Sequence, residues 1–202
     1  MDKENALIVF QKNPALGTVK TRLASVIGDQ KAVEVYRYLL WHTHQEIAKL
    51  RCPVFVFFDK EVQQEFLHAR NFFPGVQCGR NLGEKMQRAF FEVFALGYRR
   101  VIIIGTDCLE IEAGIIDNAF TDLITADLVI GPAKDGGYYL LGLKALHDPI
   151  FEGKEWGTST VLTQTLRDAA FLGLQTVLLK ELSDVDRYED LGSKLKTKLG
   201  IP

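Results

Sequence analysis

Cysteine, histidine, methionine and tryptophan are sparse: three, four, two and two among 202 residues. The cysteines, Cys52, Cys78 and Cys108, are odd in number, widely spaced and without a C-x-x-C pair, which excludes a disulfide-built scaffold and a paired-thiol zinc or redox site. They are expected as reduced thiols in or near the core. His42 and His44 stand two apart on a predicted helix, point in nearly opposite directions and make a poor chelating pair. Runs of Lys or Arg are absent, and 24 basic against 26 acidic residues leave a formal charge of −2. A nucleic-acid binder needs a clustered basic face, so none is expected. The apolar stretch at 6–10 is too short for a signal peptide and is followed by Lys12. No window approaches the roughly eighteen apolar residues of a membrane span, and a cytoplasmic protein is expected.

What the chain does have is a 47% hydrophobic, 25% charged composition without repeats, low-complexity tracts or linkers. A chain of this length buries roughly 70% of its unfolded surface, so one domain over residues 1–202 is expected. Short apolar runs alternate with helical stretches, as in a mostly parallel sheet. Strands are expected at 6–10, 54–58, 101–104, 128–130, 138–143 and 176–179. Helices are expected at 29–50, 60–70, from Leu82 to near Gly97, at 112–125, 159–171 and from Arg187 onward. Pro74-Gly75 is a turn signal closing the second of these.

Ligands in open α/β sheets gather at the carboxyl ends of strands, so polar residues just after strands are the candidates. After the first strand come Lys12, Gly17, Lys20 and Arg22. The spacing of Gly17 and Lys20 excludes a Walker P-loop. The cluster reads either as surface cations or as an anion site, with a glycine permitting close approach and two cations at a helix start. Asp107 follows the most apolar strand and is either a turn or N-cap residue or a magnesium ligand paired with Asp186. Asp135-Gly136-Gly137 is either a turn into the Tyr138 strand or a loop over which substrate passes. Asp184-Val185-Asp186 either caps the last helix or places two carboxylates on one side. Cys108 has no histidine nearby to activate it as a nucleophile. Trp41 and Trp156 read as core or interface residues.

Five segments occur in order: 10–23, Asn81-Leu82-Gly83-Glu84-Lys85-Met86, Gly105-Thr106-Asp107-Cys108, Asp135-Gly136-Gly137-Tyr138-Tyr139 through Gly142-Leu143, and Asp184-Val185-Asp186. Over almost its whole length the chain resembles the DUF2064 family of glycosyltransferase-A-fold proteins, often described as nucleotide-diphospho-sugar transferases. Their relatives include molybdenum-cofactor and phospholactate guanylyltransferases. The chain departs from the family pattern at Leu109, where proline is usual, and at Arg187-Tyr188, where Thr-Pro is usual. The D-x-D pair of many glycosyltransferases is also absent.

The resemblance implies a single-domain, three-layer α/β/α fold with a mostly parallel mixed sheet. It implies that Lys12, Gly17, Lys20 and Arg22 hold nucleotide phosphates and that Leu82 and Gly83 border the base. Asp107 and Asp186 would share a divalent metal, Mg²⁺ or Mn²⁺. Asp135, Gly136, Gly137 and Tyr138 would line the acceptor side, and Lys20 and Asp107 would be the catalytic pair. The implied partners are a nucleotide or nucleotide-sugar donor and a small-molecule acceptor. Three readings stand: glycosyl transfer, nucleotidyl transfer with release of pyrophosphate, or nucleotide binding without turnover.

Overall fold

The structure, a computed structural model, describes residues 3–201. Alternation within short apolar runs builds its sheet. Along β1 (Asn5–Gln11), Leu7 and Val9 face one side, Ala6 and Ile8 the other, and all four are buried. β4 (Arg100–Ile104) repeats this with Ile102 and Ile104 against Val101 and Ile103. Strands covered on both faces belong in the middle of a sheet, and β1 and β4 are parallel neighbours, with Val9 opposite Ile104. β2 (Val54–Phe58), β3 (Phe72–Val76), β5 (Leu128–Pro132), β6 (Tyr138–Leu143) and β7 (Thr176–Leu178) complete one seven-stranded sheet. Its order is β3-β2-β1-β4-β6-β5-β7, and β6 alone runs antiparallel to its neighbours. The expected mostly parallel mixed sheet is present.

Helices cover both faces. Met86, Phe90 and Val93 of α3 (Leu82–Ala95), with Ala169 of α5 (Val161–Phe171), pack on the Ile8 and Ile103 side. Ile47 of α2 (Asp29–Ile47) and Ile116 and Phe120 of α4 (Ala113–Asp122) pack on the Val9 and Ile104 side. A third cluster joins α1 (Thr21–Ile27), the outer stripe of α2 and α6 (Ser193–Leu199) through Leu23, Tyr36, Leu40 and Leu195. Among the described residues no helix is long and apolar enough to cross a membrane.

Three local expectations differ from the structure. Residues 60–70 form no α-helix, only a 3-10 turn at Gln64–Phe66. The Asn13 side chain takes the Lys60 N–H at 3.3 Å and donates to the Glu61 carbonyl at 2.9 Å, an acceptor that a helix would give to the Glu65 N–H. Pro74-Gly75 lies inside β3 rather than in a turn. An edge strand tolerates a missing N–H, and the bare face of Gly75 is filled by the Phe57 ring, 2.8 Å from where a Cβ would stand. The last helix begins at Ser193, after a 3-10 turn at Tyr188–Asp190. There Asp190 Oδ2 accepts the N–H groups of Asp186 (3.0 Å) and Arg187 (2.7 Å), holding 186–190 in a cap-like turn. Of the cysteines, Cys108 is buried and Cys52 partly so, whereas Cys78 is exposed.

Chain direction places the site. From β1 the chain moves to β2 on one side, while β4 lies on the other. The order therefore reverses between β1 and β4, and a crevice opens beyond their carboxyl ends.

Candidate active site

Lys12 leaves the end of β1 and Thr106-Asp107 leaves the end of β4, and a single phenol ties the two. Tyr36 of α2 is buried, accepts the Lys12 N–H at 2.8 Å, and lies 3.2 Å from both the Lys12 carbonyl and Thr106 Oγ1. Burial, then the nearby Asp107 carboxylate, raises this phenol above its ordinary range, so it stays neutral. Asn13 adds a second tether, donating its N–H to Asp59 Oδ1 at 2.6 Å.

The C-terminal segment closes the other side. The Val185 N–H donates to the Asp107 carbonyl at 2.8 Å, and Cys108 and Asp184 form an antiparallel bridge. A parallel bridge between Ala133 and Leu182 brings the 133–137 loop alongside. Residues over seventy positions apart thus converge on a cavity of about 470 Å³. Among the predicted residues Lys12, Arg22, Leu82, Asp107, Asp135, Gly137, Tyr138 and Asp186 line it. Lys20 reaches it through an ion pair, Nζ to Asp107 Oδ1 at 2.7 Å, and Arg22 pairs with Asp186 at 2.9 Å. In this structure the cations and carboxylates thus meet directly.

Lys20 is conformationally unusual. Its φ of 49° makes it the one non-glycine with left-handed backbone among the described residues, and its side chain is 4% exposed against 48% for Asp107. A left-handed lysine costs about 1 kcal/mol, a cost that the surrounding fold holds in place at this position.

Gly17, Gly83 and Gly136 do not line the cavity. Gly17, with φ 70°, has open space around it. A Cβ on Gly83 would lie 2.4 Å from the Phe151 carbonyl oxygen and 2.5 Å from Trp156 Nε1, and one on Gly136 would lie 2.2 Å from the Ser159 carbonyl oxygen. These two glycines are filled by protein.

A family model described as an uncharacterized protein conserved in bacteria (DUF2064) matches residues 43–158. The chain belongs to this family. A solved structure from Desulfovibrio desulfuricans G20, provisionally described as a nucleotide-diphospho-sugar transferase, is 30% identical, with a TM-score of 0.86 over 96% of this chain and 90% of that one. The inositol-1-phosphate CTP transferase of T. maritima shares the fold at 13% identity and TM-score 0.56, over 98% of this chain and 96% of that one. So does 4-diphosphocytidyl-2C-methyl-D-erythritol synthase of Anaerococcus prevotii DSM 20548, at 11% identity and 0.59, over 98% and 93%. No curated protein matches the chain in sequence.

Asp184 and Trp156 are among the wall residues of this family member that lie outside the predicted set. Asp184 lines the cavity, and burial, reinforced by Asp107 and Asp135, pushes its carboxyl up to about 7. Trp156, half-buried, also lines it and meets the Tyr138 ring edge-on at 6.5 Å. Its sequence signal was its setting among Gly157, Thr158 and Ser159 rather than on an apolar helical stripe. Burial raises the Cys108 thiol to about 12, leaving it protonated and unreactive. His44 is buried against Gln11, Nε2 to Oε1 at 2.7 Å, and His42 lies 3.0 Å from the Ile111 carbonyl, so each histidine already has its own partner.

Among the described residues no three His, Cys, Asp or Glu side chains are grouped as a metal cage. The acidic donors are nonetheless of the right kind for a hard divalent ion. Asp107, Asp135, Asp184 and Asp186 all line one cavity, and Asp184 registers their mutual repulsion. Magnesium takes one or two carboxylates and completes its shell with waters and phosphates.

Proposed function

We propose that residues 1–202 form one transferase domain of the cytoplasm, acting on an activated nucleotide donor with a divalent metal, and that it transfers a glycosyl group from a nucleoside-diphosphate sugar to a small acceptor. The observation that carries this reading is the convergence of Lys12, Lys20 and Arg22 with Asp107, Asp184 and Asp186 around one cavity at the β1–β4 crevice. Cations at the rim match phosphate oxygens, and carboxylates facing them match a metal-bound diphosphate. The three free thiols agree with a reducing compartment.

In this reading Lys12, whose ammonium makes no ion pair among the described residues, receives the outer phosphate. Lys20 and Arg22 turn from their carboxylates to the diphosphate oxygens and stabilise the charge that grows as the donor bond breaks. Asp107 and Asp186 would hold Mg²⁺ or Mn²⁺, which when bound neutralises leaving-group charge. Leu82, exposed at the start of α3, lies under the base, and Gly17 lets the loop backbone approach the phosphates. The Asp135–Gly137 turn and Tyr138 lie toward the acceptor, with Gly83 and Gly136 shaping the walls behind them. Nucleotidyl transfer is the second reading, and the lone carboxylate of Thr106-Asp107-Cys108, where many glycosyltransferases have a pair, favours a third, nucleotide binding without turnover.

A thermal-shift panel of nucleoside triphosphates and nucleotide sugars, with and without Mg²⁺, tests the site. Metal-dependent stabilisation is expected, lost in Asp107→Asn and Asp186→Asn. Unchanged metal-dependent binding in both variants overturns the assignment. Release of nucleoside diphosphate in the presence of acceptor marks glycosyl transfer, and release of pyrophosphate marks nucleotidyl transfer.

A further inference from the structure

A second cavity, of about 870 Å³, lies beyond Trp156, between the start of α3 and the 151–156 loop. Trp156 lines both cavities and is the partition between them. The loop that carries it is fixed by unusual means. Lys154 has a fully buried side chain that donates to Asp168 Oδ2 at 2.8 Å and to the Pro149 carbonyl at 2.9 Å. A buried ion pair contributes little net stability and much geometric constraint. Phe151 packs on Phe90 with ring centroids 5.6 Å apart, Gln87 Nε2 donates to Asp148 Oδ1 at 2.9 Å, and Gly83 leaves room for the indole. A wall held this firmly is preorganised.

The charges left over on this wall define what it would recognise. Arg80 is taken by Glu84 at 2.6 Å and Lys154 by Asp168. Arg88 lies against the Cys78 sulfur at 3.0 Å and, among the described residues, has no carboxylate within ion-pair distance. Glu152 and Glu155 also make no ion pair among the described residues. One guanidinium donor, two carboxylate acceptors and an indole thus share a cavity without excess positive charge. A phosphate would meet two carboxylates for one cation. A neutral ring of hydroxyls, each both donor and acceptor, satisfies the guanidinium and the carboxylates together and lays its C–H face on the indole.

We propose that this outer cavity is a binding site for a neutral polyhydroxylated molecule, a sugar or sugar alcohol, seated on Trp156 beside Arg88 and Glu152. Its role as the acceptor site rests on the transfer reading above, whereas the binding site itself does not. Trp41→Phe leaves Trp156 as the single tryptophan, and its emission is titrated with glucose, mannose, galactose, N-acetylglucosamine and glycerol, and with inorganic phosphate and ethanolamine as controls. At least one polyol is expected to saturate the signal, and Arg88→Ala or Glu152→Gln to weaken it at least about tenfold. Saturation-transfer NMR on the unsubstituted protein repeats the measurement without the tryptophan reporter. Polyol silence by both methods overturns the proposal, as does saturation by phosphate or ethanolamine alone. Nucleotide binding is read separately by thermal shift. Polyol saturation without nucleotide binding supports the site and overturns its acceptor role, while nucleotide binding without polyol saturation overturns the site.

Discussion

The two cavities share one indole and are built in opposite ways. The inner one draws Lys12, Arg22, Asp107, Asp135, Asp184 and Asp186 from across the chain, and burial, reinforced by the neighbouring carboxylates, pushes Asp184 up to about 7. The outer one is made from two segments, 78–88 and 151–156, where Arg80, Glu84 and Lys154 are paired off and, among the described residues, Arg88, Glu152 and Glu155 are not. Concentrated charge of both signs prepares a site for ions and phosphates. A fixed wall with a few leftover donors and acceptors prepares one for neutral polar groups.

The sharpest way to break this contrast is Asp107→Asn. It removes the partner of a nearly buried lysine and a proposed metal ligand, and turnover is expected to fall by about 10²-fold. Polyol emission titrations should not move, and a comparable loss at both cavities would mean that they are not separate sites.

Next in size is a pH effect from beneath the inner cavity. Burial, then the neighbouring His68, lowers His44 to about 4, against an ordinary value near 6.5. Phe66, Phe72 and His68 surround its ring, and Gln11 meets its Nε2. The unfolded chain binds the extra proton first, so this contribution is whole above about pH 6.5 and is lost as pH falls through about 4. The loss is on the order of 3 kcal/mol. Chemical denaturation at several pH values should give a shallower slope across that window in His44→Leu than in the unsubstituted protein.

Gly83→Ala tests the shared wall. Alanine is the better helix former by about 1 kcal/mol, but its methyl would stand 2.4 Å from the Phe151 carbonyl. Overpacking of about 1–3 kcal/mol should win, lowering the melting temperature and shifting Trp156 emission. Ligand binding should weaken at both cavities, and an unshifted emission would separate Trp156 from that wall.

The smallest expected effect isolates backbone from charge at Lys20. Lys20→Gly and Lys20→Ala both remove the ammonium and should lose nucleotide binding alike. The glycine variant should be more stable by about 1 kcal/mol, because only it relieves the left-handed φ. Equal melting temperatures would remove strain from the description of the loop.

Legibility in the sequence followed the range of the interactions. The strand at 54–58 was readable to the residue, because a continuous apolar run needs no partner to declare itself. The helix expected at 60–70 was not, because Asn13, nearly fifty residues away, takes the Glu61 carbonyl. β3 hid behind Pro74-Gly75 because its place at the edge, and the Phe57 ring over Gly75, are facts of neighbours. Within the site, Lys12, Arg22, Asp107 and Asp186 stood out as polar residues after strands. Asp184 was legible as one of two carboxylates on one side, but its raised protonation comes from burial and the charges brought around it, and Trp156 takes its place from the glycine on which it rests.

Sequence by itself determined the alternation of strands and helices, the two covered faces of β1 and β4, and the polar residues at their carboxyl ends. These depend on periodicity and on the cost of burying polar groups, both local in the chain. Tertiary structure decided which cations meet which carboxylates, that Lys20 twists left-handed to reach Asp107, and that one tryptophan divides two cavities. Those depend on distances between segments far apart in sequence, and Coulomb attraction, desolvation and close packing act on such distances alone.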